Sequence, residues 1–207
     1  TSGQVEFHAL GHSAGSIYHA YFLPLLLGHP EAAGVPAVSV RTLHFLAPAA
    51  TTDLFKQKLQ PLVGPGQPIS SLVMYTMADE LERVDKSMRP YGKSLLYLVS
   101  RAFEDAVPTP ILGLQESLRQ DVSLIRFFGL AGTSKVADVV FSRSPEGASL
   151  RDRSESITHG GFDNDVPTMT SVVRRVLDVS DTEAVVDYFE EPVAGEDRAA
   201  VGTIPVA

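Results

Sequence analysis

The sequence predicts an α/β domain, a mostly parallel sheet with helices on both faces. Three observations predict it. Runs rich in β-branched and aromatic residues alternate with helix-length segments, the order in which crossover helices join parallel strands. The runs are nearly continuous in apolar residues, as at Val38, Val40, Leu43 and Phe45, and a strand covered on both faces needs that pattern. The first run passes without a break into Gly11-His12-Ser13-Ala14-Gly15 and then into a long apolar segment, a strand-turn-helix succession.

Taken in order, residues 5–10 are expected to form a buried strand and residues 14–27 the helix leaving the turn, kinked or ended by Pro24. Gly28-His29-Pro30 and Gly34-Val35-Pro36 punctuate a loop before the strand through Phe45. Thr51-Thr52-Asp53 supplies cap residues for a helix reaching about Leu62. A Gly/Pro loop over 63–68 leads to a third strand over 69–77, which ends on Ala78-Asp79-Glu80. Residues 93–104 and 111–128 are expected to be helical, the second segment broken around Gly113, and 137–142 is the last clear strand. Glycine, arginine and serine dominate 144–156, which predicts a mobile stretch. Asp163 and Asp165 are placed to cap an amphipathic helix over 167–177. Residues 1–178 make one catalytic-type region, and 179–207 an acidic tail with a short helix near 183–189. There is no internal repeat.

A chain of 207 residues is long enough for one domain with a sizeable core. Hydrophobic content of 44% against 20% charge is that of an ordinary globular protein, not a disordered or membrane-spanning one. A net charge of −8, with no basic cluster longer than Arg174-Arg175, disfavours nucleic acid and anionic membrane surfaces as partners. There are no cysteines, which excludes disulfides, zinc-thiolate sites and a cysteine nucleophile and fits a reducing compartment. The longest apolar run, residues 21–27, is too short to span a bilayer.

The chemistry is concentrated at strand ends, where sites form in open parallel sheets. Three such ends carry Ser13, Asp79 and, after a loop, His159. A serine attacks well only from a sharp turn that a base can reach, and glycines at Gly11 and Gly15 let strand and helix pack closely around it. His159 competes with five other histidines: His8 and His44 lie inside strands, His19 and His29 in a helix and a loop, and His12 inside the turn, where it would line a pocket. Only His159 follows the last strand, and Gly160-Gly161 gives its backbone freedom. Those two glycines lack the spacing and lysine of a phosphate loop. Around Asp79, the carboxylates Glu80, Glu82 and Asp85 are expected to be solvated.

This constellation resembles the α/β-hydrolase superfamily, the serine esterases and lipases, over about residues 5–177. The resemblance rests on Gly11-His12-Ser13-Ala14-Gly15, on Asp79 and His159 past later strands, and on the order nucleophile, acid, histidine. It implies that Ser13 is the nucleophile, His159 its base and Asp79 the acid that orients the imidazole, while the Ala14 N–H is one oxyanion donor. Asp53 is the competing acid, since some members carry it after the preceding strand; otherwise it is a helix cap. The resemblance further implies cleavage of a small-molecule or lipid ester through an acyl-serine, without cofactor or metal. Peptidase, thioesterase and acyltransferase chemistry runs on the same residues, and a non-catalytic hydrolase-like module of a larger protein is the alternative of another class. Ala47-Pro48-Ala49-Ala50 and the region 85–128, with Tyr91, Leu95, Leu96, Tyr97 and Phe103, are expected to wall the pocket, the latter as a lid or as ordinary packed helices. Family members carry several strands before the elbow, with a loop giving the second oxyanion donor. None is found here, so an N-terminal segment of the same protein is expected to complete the fold.

Overall fold

The computed structural model describes residues 6–28, 38–85, 92–104, 106–132 and 135–185. Four strands, β1 (Phe7–His12), β2 (Val40–Leu46), β3 (Ile69–Met77) and β4 (Asp138–Ser142), form one sheet in the order β1-β2-β3-β4, all neighbours parallel. The helices are α1 (Gly15–Leu27), α2 (Thr52–Lys58), α3 (Asp79–Val84), α4 (Leu95–Leu98), α5 (Gln115–Gln120), α6 (Val122–Phe127) and α7 (Val166–Leu177).

Alternation along β3 divides the interior. Leu72 and Met74 face one layer, with Phe45 from β2, Ala20 and Leu23 from α1, Phe55 from α2 and Phe127 from α6. Val73, Tyr75 and Met77 face the other, with Leu96 and Tyr97 from α4 and Val172 from α7. Right-handed crossovers that step one way across a sheet put their helices on one face, which accounts for α1 and α2 together. Each large side chain buried in these layers contributes about 1.5–3 kcal/mol.

Several elements depart from the sequence expectation. β1 is the sheet edge rather than a buried strand: among the described residues it pairs with β2 alone, and Phe7 and Leu10 are 47% and 42% exposed. Tyr18, Tyr21, Phe22 and Leu25 of α1 are exposed too. Pro24 does not end α1, which continues to Leu27, because only one N–H is lost and Gly28 N–H closes the last turn on the Pro24 carbonyl at 3.0 Å. The expected helix over 111–128 is two helices. Asp121 interrupts it by capping α6, its carboxylate accepting from the N–H groups of Ser123 and Leu124.

The stretch over 144–156 is ordered. Ser144 N–H donates to the Ser154 carbonyl at 2.9 Å, Ser154 N–H to the Ser144 hydroxyl at 2.8 Å, and Arg153 Nε to the Ala148 carbonyl at 2.8 Å. Its arginines serve as main-chain hydrogen-bond donors and ion-pair partners. Arg175 of α7 joins Asp138 of β4 at 2.8 Å, Asp152 and the Arg151 carbonyl, pinning α7 and the loop that carries His159 against the sheet. Asp165 caps α7 as expected, accepting from Thr168 N–H at 3.0 Å, with Pro167 in the first turn where its missing N–H costs nothing. Residues 181–185 form a turn without helix, and most of the expected tail lies outside the described residues.

Candidate functional site

Ser13 follows β1 directly and has φ 51°, a left-handed conformation that a serine adopts only when its surroundings hold it there. They do so on several sides. Ser13 N–H donates to the Leu46 carbonyl at 2.9 Å, Ala49 N–H to the Ser13 carbonyl at 3.1 Å, and the buried Ser16 hydroxyl to that same carbonyl at 2.7 Å. Ser16 Oγ in turn accepts from Ala50 N–H at 3.0 Å. Residues 47–50, expected as pocket wall, are therefore buried supports, of which Ala49 and Ala50 give their N–H groups to the turn.

The two glycines differ. A Cβ on Gly11 would stand 2.9 Å from the Gly15 backbone and 2.8 Å from the His19 ring, so the strand-helix approach requires glycine there. A Cβ on Gly15 would meet nothing within 4 Å. Ala14 is the N-cap of α1, and amides at a helix start have no partner within the helix. They are therefore suited to an oxyanion.

His159 opens a 3₁₀ turn, His159–Gly161, and is 4% exposed. Its Nε2 stands 2.9 Å from Ser13 Oγ, across 146 positions of sequence. Gly161 is required by crowding rather than by backbone freedom, since a Cβ there would lie 2.8 Å from Thr158 Oγ1 and 2.9 Å from Ser156 Oγ. Burial above all, with the His12 charge, pushes the imidazole down to about 4, against the opposing pull of Asp85. Burial thus keeps His159 neutral at pH 7, and its Nε2 stands within proton-exchange distance of Ser13 Oγ. His44 of β2 is likewise held down to about 4 by burial. A histidine with a depressed pKa stabilises the fold above its unfolded value of 6.5, and that stability is lost as pH falls from 6.5 toward 4.

The carboxylate hydrogen-bonded to His159 is that of Asp85, not of Asp79. Asp85 is 3% exposed, and its Oδ2 accepts from the His159 main-chain N–H at 2.9 Å. Asp79 instead opens α3, where its Oδ1 accepts from Glu116 N–H at 3.0 Å and its own N–H donates to Gln115 Oε1 at 3.1 Å. The reason is geometric. The residue just past β3 is absorbed into a helix start, and α3 is so short that its far end still reaches the histidine loop. Asp53 is exposed and paired with Lys56 at 2.9 Å, one turn on, while Thr51 rather than Asp53 caps α2. Asp163 faces His12 Nδ1 at 3.8 Å, and the cap of α7 is Asp165. Asp85, expected in solvent with Glu80 and Glu82, is thus buried at the end of the six-residue α3.

Glu82, also expected in solvent, is fully buried, and neither carboxyl oxygen has a hydrogen-bond partner among the described residues. Burial, with the Asp85 and Asp79 charges, pushes it up to about 8, and only the nearby Ser94 hydroxyl pulls the other way. A carboxyl raised from 4.5 to about 8 contributes stability that is present below 4.5 and lost as pH rises through 8. Glu82→Gln, neutral throughout, is expected to gain on the parent by roughly 2–5 kcal/mol between pH 4.5 and 8. Melting temperatures of both proteins at pH 5 and pH 8 check this, and a difference that does not change with pH would refute it.

Leu96 and Tyr97 belong to the core, Phe103 is exposed, and Tyr91 lies outside the described residues. Among the described residues no group of acidic, histidine or cysteine side chains is arranged to hold a metal ion, and no helix is long and apolar enough to cross a membrane. No protein-family model matches the chain, nor does any curated protein or solved structure.

Proposed function

We propose that this protein is a serine hydrolase of the α/β-hydrolase type that cleaves a small-molecule or lipid carboxylic ester. The observation that carries the proposal is the 2.9 Å approach of His159 Nε2 to Ser13 Oγ on a turn held at φ 51°. In the proposed mechanism, Ser13 Oγ attacks the ester carbonyl while its proton passes to His159 Nε2. Charge collects on the carbonyl oxygen beside the Ala14 amide. The C–O bond to the alcohol then breaks as Nε2 returns the proton to the leaving oxygen. Water, deprotonated by the same nitrogen, then attacks the acyl carbon; the bond to Ser13 Oγ breaks as Nε2 returns the proton to Oγ, releasing the acid. Asp85 acts on the imidazolium through its charge and through its hold on the His159 main chain.

A second possibility, a non-catalytic hydrolase-like module, draws support from His159 Nδ1, which is buried without a hydrogen-bond partner among the described residues. In a working triad that nitrogen donates to the acid. A fluorophosphonate probe separates the two. Covalent labelling at Ser13, located by mass spectrometry and abolished by Ser13→Ala, is the expected result. A folded preparation that does not label would overturn the hydrolase proposal in favour of the module.

A further inference from the structure

The variable position of the elbow, expected only to line a pocket, makes three contacts of its own. His12 Nε2 lies 2.9 Å from the His159 carbonyl oxygen. Because a carbonyl only accepts, Nε2 carries the proton. The His12 ring stacks on the His159 ring with centroids 5.6 Å apart and planes 30° from parallel. On its far side, His12 Nδ1 faces Asp163 Oδ2 at 3.8 Å. With Nε2 already carrying a proton, Nδ1 is the nitrogen turned toward that carboxylate.

From these contacts we infer that His12 is a positioning residue, tying the nucleophile's turn to the main chain of His159 and holding a chargeable ring against the imidazole that must accept the serine proton. The functional half rests on the hydrolase proposal, while the positioning half stands on the contacts alone. His12 follows Gly11 on a strand end paired with β2, whereas His159 sits in a three-residue turn. The His12 hydrogen bond joins these two segments independently of the Ser13 to His159 contact. Its electrostatic effect has a definite sign, since a charge on His12 opposes a charge on His159 and holds that imidazole down. The groups facing His159 are His12 and Ser13 from the elbow and Asp85 from the end of α3, while Asp163, ahead of α7, faces His12.

Two variants separate the hydrogen bond from the charge. His12→Gln keeps an amide donor within reach of the His159 carbonyl but cannot titrate, and His12→Phe keeps an aromatic face but donates nothing. With a chromogenic ester, His12→Phe is expected to lose about 10- to 100-fold in kcat with little change in KM. His12→Gln is expected to recover kcat to within about threefold of the parent. In both variants the imidazole of His159, followed by nitrogen-15 NMR of the folded protein, is expected to titrate at higher pH than in the parent. Parent-like kcat in His12→Phe, or an unmoved His159 titration in both variants, would overturn the inference. If His12→Phe does not fold, His12→Gln decides by its titration. If the parent neither labels at Ser13 nor turns over esters, the hydrolase proposal fails and the titration still decides whether His12 acts on His159.

Discussion

Ser13→Ala and His159→Ala are each expected to lower kcat on an ester by about four to six orders of magnitude, with KM changed only a few-fold. The size follows from what the pair does. A serine hydroxyl alone is a poor nucleophile at neutral pH, and in the proposed mechanism a neutral imidazole, whose Nε2 stands at 2.9 Å, activates it. Removing either member removes the whole proton transfer, so Ser13→Ala/His159→Ala is expected to be no slower than the worse single variant. The activity of the parent should persist down to about pH 4, because burial keeps His159 neutral well below the usual imidazole range. Steady-state turnover of a chromogenic ester across pH tests both points. A His159→Ala rate within tenfold of the parent would remove the imidazole from the mechanism.

Asp85→Asn is expected to lower kcat by about 10- to 1,000-fold, whereas Asp79→Asn and Asp53→Asn remain within about threefold of the parent. Asparagine at position 85 still offers an oxygen to the His159 N–H, so the turn keeps its place and only the charge is lost. That charge raises the histidine's affinity for a proton, so its loss moves the acid limb of the activity profile lower still while destabilising the imidazolium formed during attack. Asp79 and Asp53 hold helix starts and ion pairs on α3 and α2, so their loss costs stability, not rate. Measuring all three variants beside their melting curves decides the assignment. If Asp79→Asn were the slow one, Asp85 would be a support of the loop and no more.

The strands were legible because their apolar runs are local and continuous. The sequence marked β3 at its observed limits and β2 and β4 to within two residues. The turn around Ser13 was legible because glycine at position 11 and serine at position 13 are dictated within a few residues of chain. Asp85 was not, since which carboxylate meets a histidine depends on where a six-residue helix ends and how a distant loop is pinned by Arg175. Ser16, and the partners of His12, were not legible for a related reason. Their roles are to join segments far apart in sequence, Ser16 to the turn after β2 and His12 to the turn at His159, and nothing in their own neighbourhood announces those partners. The ordered stretch over 144–156 was not legible because its composition is that of a mobile loop, while Arg153 donates to the Ala148 carbonyl, Arg151 to Asp178 at the end of α7, and the Arg151 carbonyl and Asp152 carboxylate accept from Arg175.

Among the described strands, the edge position of β1 bears on the Ser13 turn through fluctuation. Opening of a native protein begins where strands have one neighbour and apolar side chains face water, and β1 meets both conditions. Its last residue, His12, is bonded directly to Ser13. Ser13 therefore follows directly on an edge strand of the described sheet, while its φ of 51° is held by β2, by the turn after β2 and by Ser16 of α1. Opening of β1 at this end would release the Ser13 N–H from the Leu46 carbonyl and leave the Ser13 carbonyl held by the Ala49 N–H and the Ser16 hydroxyl.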